Sequence, residues 1–208
     1  MKIVVITKDV LKEELLAQGM SDYVQVEWQQ EINPAGDADG YIDLLFDGTE
    51  ERVEKLKKLQ PASAIIVNAV NTTLKELPTG FIRINAWNSF LQRSLVEAAA
   101  HDINKKLAEN IFLCFNKKVE WVPDVPGFIT GRVISMIINE AFFSLDEKVS
   151  TKEEIDTAMK LGTNYPYGPF EWAAKIGLEN VYGLLIMLAQ TNSRYTPSSL
   201  LQKEALTK

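Results

Sequence analysis

The chain has 208 residues, 46% hydrophobic and 24% charged, enough to bury one core or a core with a smaller partner domain, which excludes disordered, collagen-like and low-complexity chemistry. Its 28 acidic residues against 22 basic ones give a net charge of −6 with no basic run longer than two, so the long-range field opposes a nucleic-acid partner. The single cysteine, Cys114, lies in the apolar run Ile111–Phe115, which points to a reduced, buried thiol in a cytoplasmic protein. The apolar runs Ile3–Ile6 and Leu184–Ala189 fall short of a signal peptide or of the roughly 20 residues of a spanning helix, so no membrane is expected.

Lys2–Thr7 predicts a buried strand, because Ile3, Val4, Val5 and Ile6 are all β-branched and suit a pleat covered on both faces. A helix follows over 10–18, with Asp9 as its cap and Gly19 at its end. Tyr23–Trp28 alternates as a strand, Ile32–Gly40 is a connection rich in Asn, Pro, Gly and Asp, and Tyr41–Phe46 is a third strand. Glu50–Leu59 is an amphipathic helix. Ala64–Val67 and Phe81–Ile84 are strands, followed by a helix over Phe90–Ala108. Strands alternating with helices at this spacing predict an α/β fold with a parallel sheet covered on both faces over residues 1–122.

After Trp121 the pattern changes. Pro123-Asp124-Val125-Pro126-Gly127 interrupts regular structure, and a small all-α domain of four or five helices is expected over 123–208. Residues 129–146 are apolar nearly all round and should be covered on most sides. Ser150-Thr151-Lys152-Glu153-Glu154 offers two overlapping capping boxes before a helix that ends at Gly162. Tyr165–Pro169 reads as a rigid turn, and Phe170–Ile176 and Glu179–Gln190 as further helices.

Specific motifs lie in this second half. Asp124-Val125-Pro126-Gly127-Phe128-Ile129, Arg132, Asn139-Glu140-Ala141, Ile155-Asp156, Met159-Lys160, Gly162, Pro166, Gly168-Pro169-Phe170-Glu171, Gly177-Leu178, Arg194-Tyr195, Pro197 and Leu200-Leu201 closely resemble the C-terminal domain of 3-hydroxyacyl-CoA dehydrogenases. The resemblance continues upstream in Asn71-Thr72-Thr73, similar to the family's Asn-Thr-Ser turn, and in Leu95-Val96-Glu97, similar to its Leu-Val-Glu segment. It implies a Rossmann domain for NAD, a helical dimerisation domain, an acyl-CoA substrate and a role in fatty acid metabolism. It also implies a histidine base oriented by a glutamate twelve residues later.

Carried over residue by residue, the pattern makes Glu97 the orienting acid and puts Asn85 where the histidine belongs. Asn88 matches the family's asparagine, Thr73 and Gly131 fall at substrate-side positions, and Asn71 falls on the cofactor side. Gly131 stands where the family has an active-site asparagine. An amide has no accessible pKa near neutrality, and losing a general base typically costs roughly 10² to 10⁴ in rate. The turn after the first strand, Thr7-Lys8-Asp9-Val10, contains no glycine, although a dinucleotide's pyrophosphate needs close backbone approach there. The segment before Tyr41 is also some tens of residues shorter than the family's and lacks its helical excursion toward CoA.

Other assignments stay open. Glu27 is a candidate ribose-binding acid. His101 would lie one turn after Glu97 if both were helical. Arg132 and Glu140 would form an internal polar network, and Trp28, Trp87, Trp121 and Trp172 would be core or interface anchors. No residue pattern points to a metal. Two functions are expected. One is a catalytically degenerate relative keeping a homodimeric scaffold and a ligand cleft. The other is a divergent NAD-dependent dehydrogenase of short hydroxyacyl thioesters. The helices near 129–146 and 179–190 are the expected homodimer surface.

Overall fold

A computed structural model describes residues 1–59 and 64–207. The chain forms two compact units, Met1–Phe128 and Ile129–Lys208. The first runs β1 (Lys2–Ile6), α1 (Asp9–Leu16), β2 (Gln25–Gln29), β3 (Gly40–Asp43), α2 (Glu50–Lys57), β4 (Ala64–Asn68), β5 (Phe81–Ile84), β6 (Leu95–Ala99), α3 (Asp102–Leu113) and β7 (Lys118–Trp121). These strands make one sheet in the order β2-β1-β3-β4-β5-β6-β7. Every neighbouring pair is parallel except β5 and β6.

The β-branched run in β1 is wholly buried because both faces of the sheet are covered. Ile3 and Val5 pack on the side of Leu11 and Leu15 of α1 and Ile111 and Phe112 of α3. Val4 and Ile6 pack on the side of Leu56 of α2. Each such side chain contributes about 1.5–3 kcal/mol. Residues 30–39 cross from β2 to β3 with no helix. Tyr41 holds this crossing with its hydroxyl, which accepts from Ala35 N at 2.7 Å and donates to Ala35 O at 2.9 Å. At Gly40 a Cβ would come within 2.6 Å of Ile111 Cδ1, so glycine there lets α3 approach the sheet.

The expected helix over Phe90–Ala108 does not exist as one element. Its middle is β6, which pairs antiparallel with β5 and parallel with β7, and the helix begins only at Asp102. Three consecutive alanines favour helix locally, but Val96 and Ala98 are buried and the flanking strands satisfy the backbone. Tertiary pairing overrides propensity here. β7 was absent from the sequence reading, and the helix start at α1 differs too. Lys8 is the N-cap residue, without a side-chain bond, and Asp9 lies inside the first turn.

The second unit contains α4 (Thr130–Asp146), α5 (Lys152–Thr163), α6 (Pro169–Ile176), α7 (Leu178–Ala189), a 3₁₀ turn at Ser193–Tyr195 and α8 (Ser199–Leu206), a helix the sequence reading did not specify. Thr151 and Glu154 close the capping box of α5, and α5 runs on through Gly162 to an Asn164 C-cap with φ of 57°. Asp156 accepts from the backbone N–H groups of Phe170 and Glu171 at 2.8 and 3.1 Å, capping α6 from a distance. Glu171 accepts from Gly168 N and pairs with Lys160. Asn139 ties α4 to the C-terminal segment by donating to Thr196 O and accepting from Ser198 N. Among the described residues no single helix is long and apolar enough to cross a membrane.

Candidate functional site

Parallel strands end on one side of their sheet, and that side is where the loops of an α/β fold carry ligand-binding groups. β4 ends at Asn68 and leads into the turn bearing Asn71 and Thr73, while β5 ends at Ile84 and leads directly to Asn85. β6 runs antiparallel beside β5, which brings Glu97 opposite Asn85: Asn85 N donates to Glu97 O at 3.0 Å. The side chains meet as well, with Asn85 Nδ2 donating to Glu97 Oε2 at 3.0 Å.

The asparagine's orientation is fixed from its other end, because its Oδ1 accepts from Trp87 N at 3.4 Å. Its amide nitrogen therefore faces the carboxylate, and no titratable group stands in the position twelve residues before Glu97. Asn68, which the sequence reading did not single out, braces the same loop. Its Oδ1 accepts from Ala86 N at 3.0 Å and its Nδ2 donates to Leu44 O at 3.4 Å. An asparagine closing a buried strand is the signal that would have found it.

The other expected site residues divide. Asn88 is half-buried in the loop after Asn85, and Asn71 is half-buried in the turn after β4. Thr73 serves its own turn, with both its N and its Oγ1 donating to Glu76 Oε2 at 2.8 and 2.9 Å. Gly131 is buried in the first turn of α4, in the second unit. The helical Glu97–His101 pair is overturned, because Glu97 lies in β6 and His101 is the extended N-cap residue of α3.

Arg83, not anticipated, anchors the turn from below. It is fully buried, and its guanidinium donates to Ala69 O, Val70 O, Val125 O and Asp124 Oδ1 while stacking 4.0 Å from the Phe128 ring. Burial pulls the arginine below its ordinary value, and Asp124 opposes that shift. Asp124 also accepts from Leu74 N, and Gly127, at φ of 81°, donates its N–H to Val70 O at 2.7 Å.

The β1–α1 connection is poorly suited to a dinucleotide. Only Thr7 and Lys8 separate strand from helix, and a carboxylate, Asp9, occupies the first turn, where the helix dipole would receive an anion. Thr7 is spent locally, its N donating to Gln29 O and its Oγ1 to Lys8 O. At the end of β3, Asp43 is fully buried and bridged by Arg52 Nε and Nη2, both at 2.7 Å. Burial raises its carboxyl, and Arg52 opposes that. Glu27 is not a strand-end acid: it lies within β2, accepts from Gln29 Nε2 at 2.7 Å and sits 3.5 Å from Lys2 Nζ. The residues present do not fit a bound NAD.

The second unit corrects two further expectations. Glu140 is exposed and Arg132 is half-buried, so neither is the enclosed group the sequence suggests. They border a groove of about 330 Å³ with Met136, Ile137 and Tyr195, and Arg132 lies 5.8 Å from the Tyr195 ring. Helix α4 is also less covered than its composition suggests, with Ile129 54% and Val133 51% exposed. Cys114 is a free, half-buried thiol, its Sγ 3.3 Å from Asn110 O, and burial raises its pKa.

Residues 127–207 match the family model described as 3-hydroxyacyl-CoA dehydrogenase, C-terminal domain. The chain belongs to the 3-hydroxyacyl-CoA dehydrogenase family. Among its relatives, the 3-hydroxyadipyl-CoA dehydrogenase of Escherichia coli is 45% identical over 92 residues, covering 43% of this chain and only 19% of that protein. The 3-hydroxybutyryl-CoA dehydrogenase of Bradyrhizobium diazoefficiens is 29% identical and matches 95% of this chain and 72% of its own length. A probable 3-hydroxybutyryl-CoA dehydrogenase of Bacillus subtilis is 30% identical, with 84% and 66% covered. The crystal structure of the (S)-3-hydroxybutyryl-CoA dehydrogenase of Ralstonia eutropha superposes with a TM-score of 0.76 at 19% identity, covering 97% of this chain and 92% of the other. That likeness establishes the shared α/β, Rossmann-like fold of this family member.

Proposed function

We propose that this family member is catalytically silent in hydride transfer and binds an acyl-CoA thioester at the loops that follow β4 and β5. The observation that carries the reading is the contact of Asn85 Nδ2 with Glu97 Oε2 at 3.0 Å. A carboxylate orients and charges an imidazole, but paired with an amide it moves no proton. The two-residue β1–α1 connection and Asp9 support the companion claim, that NAD finds no seat here. Polar groups remain for holding a carbonyl or hydroxyl, with Asn71, Asn85 and Asn88 as the side chains that would do so.

The reading includes a homodimer. Apolar side chains left exposed on α4, at Val133 and Phe143, and at Ile129 just before it, support a second copy packing there. Val133→Glu is expected to convert a dimer to a monomer in light scattering, and a monomeric unaltered chain would refute this part.

A second reading, a divergent NAD-dependent dehydrogenase acting on short 3-hydroxyacyl thioesters, draws on the retained Glu97 and on the names of the relatives. Calorimetry and turnover assays separate the two. The silent reading expects heat with acetoacetyl-CoA, none with millimolar NAD, and no NADH from 3-hydroxybutyryl-CoA. NADH formation that is lost in Glu97→Gln would replace it with the dehydrogenase reading. Asn85→His alone is expected to leave turnover undetectable, because the cofactor seat is missing as well.

A further inference from the structure

Residues 85–94 join two antiparallel strands with neither strand nor helix of their own, so their backbone groups need partners from elsewhere. Side chains distant in sequence supply several of these. Glu14 of α1 accepts from Ser89 N at 2.6 Å. Gln18, just past α1, donates to Gln92 O at 2.9 Å. Lys117, 1% exposed, donates through Nζ to Leu91 O at 2.5 Å and Arg93 O at 2.9 Å. Lys118 N closes the loop's far end on Ser94 O at 2.8 Å.

Two features distinguish this clamp from ordinary loop closure. Ser89 is buried with a φ of 82°, a left-handed conformation that costs a non-glycine residue about 1 kcal/mol or more. Its strongest visible restraint is the charge-assisted bond to Glu14. Burial lowers the Lys117 amine and the Glu14 carboxylate opposes that shift, while the two reach the loop from separate elements. The helix whose N-terminus would face a dinucleotide is thus tied, through Glu14, to the loop that carries Asn85 and Asn88.

We propose that Glu14 and Lys117 are positioning residues that hold the 85–94 loop in its ligand-ready conformation with no cofactor present. The inference rests on the ligand-binding reading above for what the loop is ready to receive, and on the loop's own bonds for how it is held.

Hydrogen exchange on the full chain tests it, alongside acetoacetyl-CoA calorimetry and thermal melting. Glu14→Ala is expected to raise exchange of the amides at 89–93 about ten-fold, the equivalent of one lost hydrogen bond, with β1 and β4 protected as before. Its acetoacetyl-CoA affinity should fall at least several-fold. Glu14→Gln keeps a carbonyl acceptor and should restore most of both, while Lys117→Met should loosen 91–93. Unchanged loop exchange in Glu14→Ala and Lys117→Met would overturn the proposal, as would exchange that rises uniformly across the sheet. If Lys117→Met fails to fold, the Glu14 pair decides. If the unaltered protein gives no heat with acetoacetyl-CoA, the ligand reading fails, and loop exchange alone decides whether the clamp exists.

Discussion

Residues 151–177 and the pair of segments 7–10 and 85–89 differ in how they stand to the family pattern. In the first, matched residues have structural employment: Asp156 caps α6, Glu171 bonds Gly168 N, and Gly177 turns the chain at φ of 91°. In the other two, residues that depart from the pattern are held by internal partners. Asn85 bonds Glu97, Ser89 N bonds Glu14, and Thr7 bonds Lys8 and Gln29. The polar groups of 151–177 thus satisfy helix ends and turns, whereas those of 7–10 and 85–89 are engaged by partners that the fold brings to them.

That contrast is open to direct attack. The largest effect is expected at Arg83, where replacement by alanine leaves Asp124 and three carbonyls without their buried partner and should cost about 3–5 kcal/mol in chemical denaturation. A loss below about 1 kcal/mol would mean the anchor is dispensable. Next comes the capping residue of the second unit. Asp156→Ala removes two charge-assisted bonds to the N-terminus of α6 and should cost about 2 kcal/mol, with Asp156→Asn recovering part of it. Calorimetric unfolding that leaves both variants level with the parent would contradict the structural assignment.

Lys117 provides a pH-dependent effect, graded over the pH range in which its amine titrates. Burial lowers its amine from 10.5 to about 8, so between those values the folded chain holds fewer protons at this site than the unfolded one. This group's contribution to stability therefore rises as pH climbs from about 8 to 10.5 and is lost as pH falls through about 8, with a slope of at most about 1.4 kcal/mol per pH unit. The difference between the parent and Lys117→Met, measured by denaturation from pH 7 to 11, isolates it. A difference independent of pH would reject a buried amine. The smallest change is expected at Thr73→Val, which removes one turn hydrogen bond and should cost under about 1 kcal/mol. A larger loss of acetoacetyl-CoA affinity than of stability would return Thr73 to the ligand site.

How much was legible follows from the range of the forces involved. The strands at Ile3–Ile6 and Phe81–Ile84 were readable because burial on both faces demands continuous apolar runs. The capping box at Thr151 was readable because it closes within four residues. β6 was not, because Leu95–Ala99 carries no local strand preference and becomes a strand only between β5 and β7. The same error produced a helical Glu97–His101 pair. Asn85 was readable as the counterpart of Glu97 by its spacing, and the two do meet, while Asn68, Arg83 and Lys117 were invisible, since their partners lie 13 to 42 residues away.

The amino-acid order alone determined the family, the α/β half followed by a helical half, the glycine-free turn after the first strand and the asparagine twelve residues before Glu97. These are matters of residue identity and local spacing. Tertiary structure alone decided that Leu95–Ala99 is a strand, that Asn85 and Glu97 touch, and that Glu14 of α1 and Lys117 both bond the loop between them. A buried polar group must find a partner wherever the fold brings one, and the sequence does not carry that distance on its face.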